Sequence, residues 1–247
     1  MITASSIQYG VRSAILRFDP EHCRCPNCGS RDRRAIERKW IVTELVRCGA
    51  CGLMYRLPTD PSRFGRRFYQ REYRQGFTST CPTPEALAGL IASGFAGTDR
   101  DYSTRIAVLQ ALGVTKGARV LDRTEDLAGG LDVFFSSHVI EHVPAPRDVI
   151  SLARRLLRSG GLFVAFTPNG SAARRAKPDQ AHNVMRMWGL LHPIVLDDVF
   201  YSRVLPAEPK LLATSPYPLD SIRRWDQRTD LSADLSGKEL LLATVLT

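Results

Sequence analysis

Two cysteine pairs near the start of the chain place the strongest constraint on how it can fold. Cys25 and Cys28 enclose Pro-Asn, Cys48 and Cys51 enclose Gly-Ala, and residues 29–47 separate the two pairs. This spacing is typical of a four-cysteine zinc site, in which each C-x-x-C pair forms a tight turn that offers two thiolates. Four protein ligands leave no coordination position open to a substrate. We therefore expect structural Zn²⁺ bound by Cys25, Cys28, Cys48 and Cys51.

Two alternatives for these cysteines stay open at this point. A set that uses Cys23 in place of Cys25 also offers four thiolates, and disulfides are a second interpretation of the pairs. Residues 1–18 carry Arg12 and Arg17 where a signal peptide has an apolar block, and no run approaches the ~18 apolar residues of a membrane span. We expect a cytoplasmic protein without a membrane partner, and a reducing cytosol disfavours disulfides.

The residues around and after the cysteines indicate how the chain is divided. Residues 36–47 are rich in β-forming side chains between the two cysteine pairs, the pattern of a zinc ribbon that closes near Leu57. Apolar residues at helical intervals predict helices over 85–93 and 102–112. From Gly117 onward the pattern changes to short buried strands. We expect a zinc-ribbon module over 1–57, a helical connecting region over 58–116 and an α/β domain over 117–247.

The last of these parts has the pattern of a parallel sheet. Residues 118–122 and 132–136 each predict a short buried strand. Prolines then introduce an amphipathic helix over 147–157, Ser-Gly-Gly ends it, and an apolar strand over 162–167 follows. Strand, helix and strand make a βαβ unit, which implies parallel pairing in a sheet covered by helices. Further strands are predicted over 210–215 and 239–246.

Three segments of this domain resemble successive motifs of class I S-adenosylmethionine-dependent methyltransferases. They are Gly-Ala-Arg-Val-Leu-Asp over 117–122, Leu-Asp-Val-Phe-Phe-Ser-Ser-His-Val-Ile-Glu-His-Val over 131–143, and the Gly-Gly-containing segment over 156–169. The resemblance implies a truncated, Rossmann-like sheet with S-adenosylmethionine across the carboxyl ends of its strands. It implies cofactor contacts for Asp122, Ser137 and His138, and catalytic positions at the substrate side for Glu141 and His142.

The order of the two parts adds to this resemblance. A zinc-binding module before such a core resembles methyltransferases of nucleotide-sugar and glycan modification. The resemblance therefore implies methyl transfer to a sugar, a glycan or another small molecule.

The segment after Asp122 departs from the pattern of that family. In the family, the first strand runs into a glycine-rich loop at the cofactor, and a later strand ends in an acid that holds the ribose. Here residues 123–131 alone separate the two matched strands, whereas the family uses on the order of 50–70 residues if each βα unit takes ~30. The pair Gly129-Gly130 does not replace the missing loop. A methyltransferase-like binding protein without catalytic activity is therefore an alternative hypothesis.

The string His-Val-Ile-Glu-His over 138–142 supports several interpretations. In the first turn of a helix, His138, Glu141 and His142 project to one side, where they can bind a metal. A similar E-x-x-E-H string binds a divalent ion in some small-RNA and ubiquinone-pathway methyltransferases, although His138 replaces its first Glu. The string also matches an inverted zinc-protease motif, but the flanking strands and helix match the methyltransferase segment instead. The simplest interpretation is structural, with Glu141 and His142 bracing the following loop.

Two more histidines and a pair of acids lie in the region that covers the substrate in the family. His182 and His192 can each serve as a general base, since imidazole titrates near neutral pH. Adjacent residues point apart in regular structure, so Asp197 and Asp198 are not expected to act as a catalytic pair. Charge at a helix N-terminus explains them better.

The basic residues suggest a third hypothesis. Between Arg31 and Arg74 there are twelve basic and five acidic residues, and hence +7 of the net +9 of the chain. Such a patch attracts phosphate backbones, which suggests a zinc-ribbon nucleic-acid binder. No aromatic-interleaved RNA-binding signature supports this hypothesis. A solvated surface is the simpler explanation, and nucleic acid is not favoured as a partner.

Overall fold

The computed structural model describes residues 4–39, 41–61, 82–98, 101–120, 130–177, 184–190 and 192–246. Within these ranges the helices are α1 (Ala4–Leu16), α2 (Pro84–Ala92), α3 (Ser103–Ala111), α4 (Pro146–Leu156), α5 (Ala172–Arg175), α6 (Val184–Met187), α7 (Asp198–Val204) and α8 (Leu219–Arg223). Short 3₁₀ turns lie at Pro20–Cys23 and Ile140–His142. None of the helices in these ranges has the length and apolar character needed to cross a membrane.

An antiparallel sheet carries the cysteine pairs. Its strands are β1 (Arg33–Lys39), β2 (Thr43–Cys48), β3 (Met54–Leu57) and β6 (Ile194–Val195), in the order β1-β2-β3-β6. A turn at residues 41–42 divides the β-forming stretch that the sequence predicts over 36–47 into the hairpin of β1 and β2. Strand β3 ends at Leu57, and β6, from a distant part of the chain, completes this sheet.

A second, mixed sheet forms the α/β part of the chain. Its strands are β4 (Leu131–Ser137), β5 (Leu157–Pro168), β7 (Lys210–Thr214), β8 (Leu231–Ser232) and β9 (Glu239–Val245), in the order β4-β5-β9-β7-β8. Strands β4 and β5 are parallel and α4 connects them, which confirms the predicted βαβ unit. Strand β9 is antiparallel to both β5 and β7. The fold is therefore an α/β, Rossmann-like sheet with a small cysteine-bearing module before it.

The first predicted strand of this sheet is only partly within the described residues. Val120 forms a parallel bridge with Val133 of β4, and Asp132 N donates to Arg119 O. The chain at Val120 therefore runs alongside β4 in the same direction. Residues 121–129, including the predicted site residue Asp122, lie outside the described ranges.

Helix α4 shows how the sequence produces this packing. Pro146 starts the helix with a preset φ, Asp148 lies in its first turn, and Arg154 and Arg155 lie in its last turn, as the helix dipole favours. Its buried face packs on the sheet in the same hydrophobic core as Phe134 and Phe163. Helix α3 covers the other side, where Val108 and Ala111 join Val133, Val164 and Phe166.

The cysteine-bearing sheet and the α/β sheet share one core. Val46, Leu53 and Tyr55 of the ribbon region pack in the same cluster as residues of β4, α4 and β5. At the junction Gly170 N donates to Leu196 O, and a Cβ at Gly170 would lie 2.5 Å from Val195 Cγ1 and 2.6 Å from Leu196 O. Only glycine permits this close approach. The predicted division of the chain at residues 57 and 116 stays a prediction.

Candidate functional site

The four paired cysteines converge on one point. Their sulfur atoms all lie within 4.8 Å of one another, with Cys25 Sγ 3.6 Å from Cys51 Sγ and Cys28 Sγ 3.5 Å from Cys48 Sγ. Tetrahedral Zn²⁺ with Zn–S bonds of about 2.3 Å places its sulfur ligands roughly 3.8 Å apart. Cys25, Cys48 and Cys51 are buried, so the cluster has the donor set and spacing for a structural metal.

Each cysteine pair lies on a turn closed by backbone hydrogen bonds. Gly29 N donates to Cys25 O and Gly52 N donates to Cys48 O, and both glycines have a left-handed φ of about 75°. The hydrogen bond between Cys25 and Cys51 raises the pKa of Cys25 and lowers the pKa of Cys51, so the two thiols share one proton. The four sulfurs that converge define a candidate metal set that contains Cys25.

Cys23 is outside this cluster. Its Sγ lies 3.6 Å from Arg17 O, which it contacts in place of the other sulfurs, and none of the described cysteines forms a disulfide. The structure therefore shows neither a cluster that includes Cys23 nor a disulfide between the described cysteines.

A second group of polar side chains lies at the carboxyl end of β4. His138 follows the last residue of the strand, and its backbone N–H still donates to Phe166 O of β5. The backbone of His138 then turns with φ 53°, a left-handed conformation that costs energy in a residue with a Cβ. The next residues form the 3₁₀ turn Ile140–His142 and not the α-helical turn that the spacing predicts.

The left-handed turn places His138 between two carboxylates. His138 Nε2 lies 2.5 Å from Glu239 Oε2, and His138 Nδ1 lies 3.2 Å from Glu141 Oε1. The carboxylates of Glu141 and Glu239 raise the pKa of His138 to about 9. The ring is therefore an imidazolium at neutral pH and is not available to accept a proton.

Glu239 organises one side of this group. Tyr217 donates to its Oε1 at 2.6 Å, and Arg105 pairs with its Oε2 at 2.7 Å. Burial raises the pKa of Glu239, but the hydrogen bonds from His138 and Tyr217 and the charge of Arg105 outweigh it, so the pKa is lowered overall. Sequence analysis missed Glu239, Arg105 and Tyr217, because none of them lies near the string at 138–142.

Glu141 lies on the other side of His138 and is nearly inaccessible, at 2% exposure. Within the described part of the chain, neither of its carboxylate oxygens accepts a well-aligned hydrogen bond. The basic groups that approach it are His138 Nδ1 at 3.2 Å and His142 Nε2 at 4.0 Å. A buried carboxylate is costly unless cations or donors compensate its charge.

His142 extends the group towards a distant segment. Its ring lies 4.8 Å from the ring of His192, with an angle of 36° between the planes. One ligand atom each from Glu141, His142 and His192 lies within 4.8 Å of the others. Sequence analysis considered His192 only as a possible base near the substrate, and no pattern connects it to His142.

The remaining predicted site residues have different outcomes. Ser137, the last residue of β4, is half-buried beside His138, whereas Asp122 and His182 are outside the described ranges. Asp197 caps α7 by accepting a hydrogen bond from Phe200 N at 2.9 Å, and Asp198 lies in the first turn of that helix. The interpretation of the two acids as helix N-terminal residues is confirmed.

Much of the described basic patch is neutralised by ion pairs. Arg38 pairs with Glu44, and Arg56 pairs with Asp60. Arg47 pairs with the buried Asp197 at 2.6 Å. These pairs lower the positive field that nucleic-acid binding requires, and the part of the patch over 62–74 is not within the described ranges.

Comparison with known proteins adds one family match. Residues 117–165 match a family described as a methyltransferase domain, which spans Val120, β4, α4 and most of β5. A search of curated proteins finds no match. Among solved structures, the chain is similar to geranyl diphosphate C-methyltransferase from Streptomyces coelicolor A3(2), determined with Mg²⁺, geranyl diphosphate and S-adenosyl-L-homocysteine. That alignment has 15% identity and a TM-score of 0.32, and it spans 51% of this chain and half (50%) of that one.

The matched segment covers part of the α/β sheet. Over 117–165 the chain is similar to methyltransferase domains, and this segment follows a four-cysteine module compatible with a zinc ribbon.

Proposed function

We propose that this chain is an S-adenosylmethionine-dependent methyltransferase that acts on a sugar, a glycan or another small molecule. The observation that carries the proposal is the family match over 117–165, because within this segment β4 ends at Ser137 and is followed by His138. In open α/β sheets, ligands bind at the carboxyl ends of the strands where the strand order reverses. The side chain of His138 is 43% exposed, so the carboxyl end of β4 is open to a cofactor.

The cofactor, when bound, supplies a methyl sulfonium group that an acceptor oxygen, nitrogen or carbon can displace in line. We assign Asp122, Ser137 and His138 to the cofactor side of the edge and Glu141 and His142 to the acceptor side. Catalysis then depends mainly on the positioning of the two reactants.

The ion pairs at the edge divide the roles of its histidines. His138 is held as a cation between Glu141 and Glu239, so it orients and donates hydrogen bonds. His142, whose Nε2 lies 4.0 Å from Glu141 Oε1, is on the acceptor side of these ion pairs and helps to position the acceptor.

One structural feature favours a second candidate, a methyltransferase-like binding protein without catalytic activity. Val120 and Val133 are bridged in parallel, yet the chain between them contains only residues 121–132. Parallel strands are ordinarily joined by a crossover of a dozen or more residues that contains a helix. The connection here is at the lower limit, and it replaces the segment that forms the cofactor loop in the family.

Isothermal titration of the zinc-loaded chain with S-adenosylmethionine separates the two candidates. The methyltransferase gives saturable heat at micromolar cofactor, and Ser137→Phe weakens binding by at least about tenfold because a ring fills the end of β4. Ser159→Phe is the matched control, since Ser159 is exposed at the start of β5, at the opposite edge of the sheet. Absence of heat at millimolar cofactor contradicts the proposal and supports the inactive binding protein.

A further inference from the structure

Three side chains from two distant segments converge next to the candidate acceptor side. Glu141 and His142 belong to the 3₁₀ turn after β4, and His192 precedes β6. One potential ligand atom from each lies within 4.8 Å of the other two. Metal–nitrogen and metal–oxygen bonds of about 2.0–2.2 Å require the ligand atoms to approach by roughly 1 Å more, which side-chain rotation permits.

The carboxylate of Glu141 is the observation that points to a ligand. It is 2% exposed, and within the described residues no donor makes a well-aligned hydrogen bond to either oxygen. His138 approaches one oxygen, Oε1, at 3.2 Å, and among the described residues no donor hydrogen-bonds to the other oxygen, Oε2, which is therefore available as a ligand atom. Buried charges in proteins are ordinarily paired or coordinate metals.

The cysteine-bearing sheet holds His192 in place. Gly189 N donates to His192 O at 3.1 Å, and Arg56 N of β3 donates to Pro193 O at 2.8 Å. Strand β6 begins directly after Pro193 and pairs with β3. The imidazole is therefore presented by a segment anchored on the ribbon and not by a free loop.

We propose that Glu141, His142 and His192 bind one divalent first-row transition metal ion. Two imidazoles and one carboxylate suit ions such as Mn²⁺, Fe²⁺, Co²⁺ or Zn²⁺. This set differs from the string at 138–142, because His138 is engaged by Glu239 and His192 takes the third position.

Three protein ligands leave coordination positions open. An oxygen of the methyl acceptor fits an open position, a role that rests on the proposed methyl transfer. Binding of the ion itself does not depend on that function, so the ion is tested without cofactor or acceptor.

The test uses Mn²⁺ as the probe on the zinc-loaded chain. Mn²⁺ prefers oxygen and nitrogen ligands, so it leaves a four-thiolate zinc site occupied. Loss of the electron paramagnetic resonance signal of free Mn²⁺ counts the bound ions. We expect one bound Mn²⁺ per chain, with unchanged zinc content. Failure of the wild-type chain to bind Mn²⁺ overturns the metal site, whatever the result with S-adenosylmethionine.

Variants identify the ligands. Glu141→Gln keeps the size of the side chain, and His192→Ala removes a ligand from a separate segment. If one of these variants fails to fold, the other still tests the site. Each is expected to weaken Mn²⁺ binding by more than about 100-fold, beyond the loss from removing an outer-shell partner. His22→Gln is the control and keeps wild-type binding. Wild-type affinity in both ligand variants, or a comparable loss in His138→Gln, overturns the assignment.

Discussion

Asn27 Oδ1 accepts a hydrogen bond from the backbone N–H of Arg147 at 2.9 Å. Asn27 lies between Cys25 and Cys28 and is 2% exposed, and Arg147 is in the first turn of α4. The first cysteine turn therefore satisfies an N–H at the start of the helix that follows the 3₁₀ turn at Ile140–His142. The first cysteine turn and the start of α4 are linked through this contact.

Replacement of Asn27 tests this link. Asn27→Ala removes the acceptor for Arg147 N–H, so the free energy of unfolding falls by about 1 kcal/mol, as for the loss of a helix cap. Urea denaturation of the zinc-loaded chain measures the change. Arg147→Ala is the control, because it keeps the backbone N–H and removes only an exposed side chain, so its effect stays within about 0.5 kcal/mol. Equal stability of the Asn27→Ala and wild-type chains contradicts the link.

The cysteine cluster predicts one zinc ion per chain. Cys48→Ser removes a fully buried ligand and is expected to abolish stoichiometric zinc, measured by elemental analysis of purified protein. Cys23→Ser keeps the zinc, because Cys23 contacts Arg17 O and not the cluster. Removal of the metal also lowers the unfolding temperature of the α/β part, since both sheets share one core. Zinc-free protein with unchanged stability is the contrary result.

The ion pair between Arg47 and Asp197 predicts a stability loss that depends on pH. Arg47→Met leaves the carboxylate of Asp197 without its partner at 1% exposure, which costs about 3 kcal/mol at neutral pH. The Arg47→Met/Asp197→Asn double variant recovers most of this loss, because an amide still caps α7 and carries no charge.

The pH dependence follows from the direction of the shift at Asp197. Burial raises its pKa, and loss of the Arg47 charge raises the pKa further in Arg47→Met. A raised pKa means that the folded state favours the proton, so the contribution of this group is lost as pH rises through its folded pKa. The stability deficit of Arg47→Met is therefore larger at pH 7 than near pH 4, where an ordinary aspartate titrates, in thermal unfolding experiments. The double variant lacks this dependence, and an equal deficit at both pH values refutes the explanation.

The contact between Gly170 and β6 predicts opposite effects at two glycines. Gly170→Ala places a methyl group 2.5 Å from Val195 Cγ1 and 2.6 Å from a backbone oxygen, and overpacking of this kind costs about 1–3 kcal/mol. Gly89→Ala is the matched control, because Gly89 lies in α2 with no atom within 4 Å of an added Cβ. Helix propensity favours alanine there by up to about 1 kcal/mol. Chemical denaturation of both variants measures the difference in sign.

Much of the fold follows from local pattern. Three local features predict the βαβ unit, namely the alternation of apolar residues in β4, the proline before α4 and the apolar run of β5. Each feature shows where its own segment begins or which side of that segment is buried. The spacing of Cys25, Cys28, Cys48 and Cys51 likewise predicts a cluster. Asp197 is identified as a helix cap by its position. The assignment of Ser137, His138 and Asp122 to a cofactor stays a prediction.

The β-forming stretch between the cysteine pairs and the βαβ unit over 131–168 are thus determined by the sequence itself, since spacing and periodicity act within one element or between neighbours. Only the tertiary structure decided that His138 pairs with Glu239, 101 residues away, and that His192 reaches His142. It also decided that β6 completes the ribbon sheet. Such contacts depend on how separate segments pack on a shared core. The burial pattern of a segment determines which of its faces points inward, but it does not determine which distant residue that face contacts.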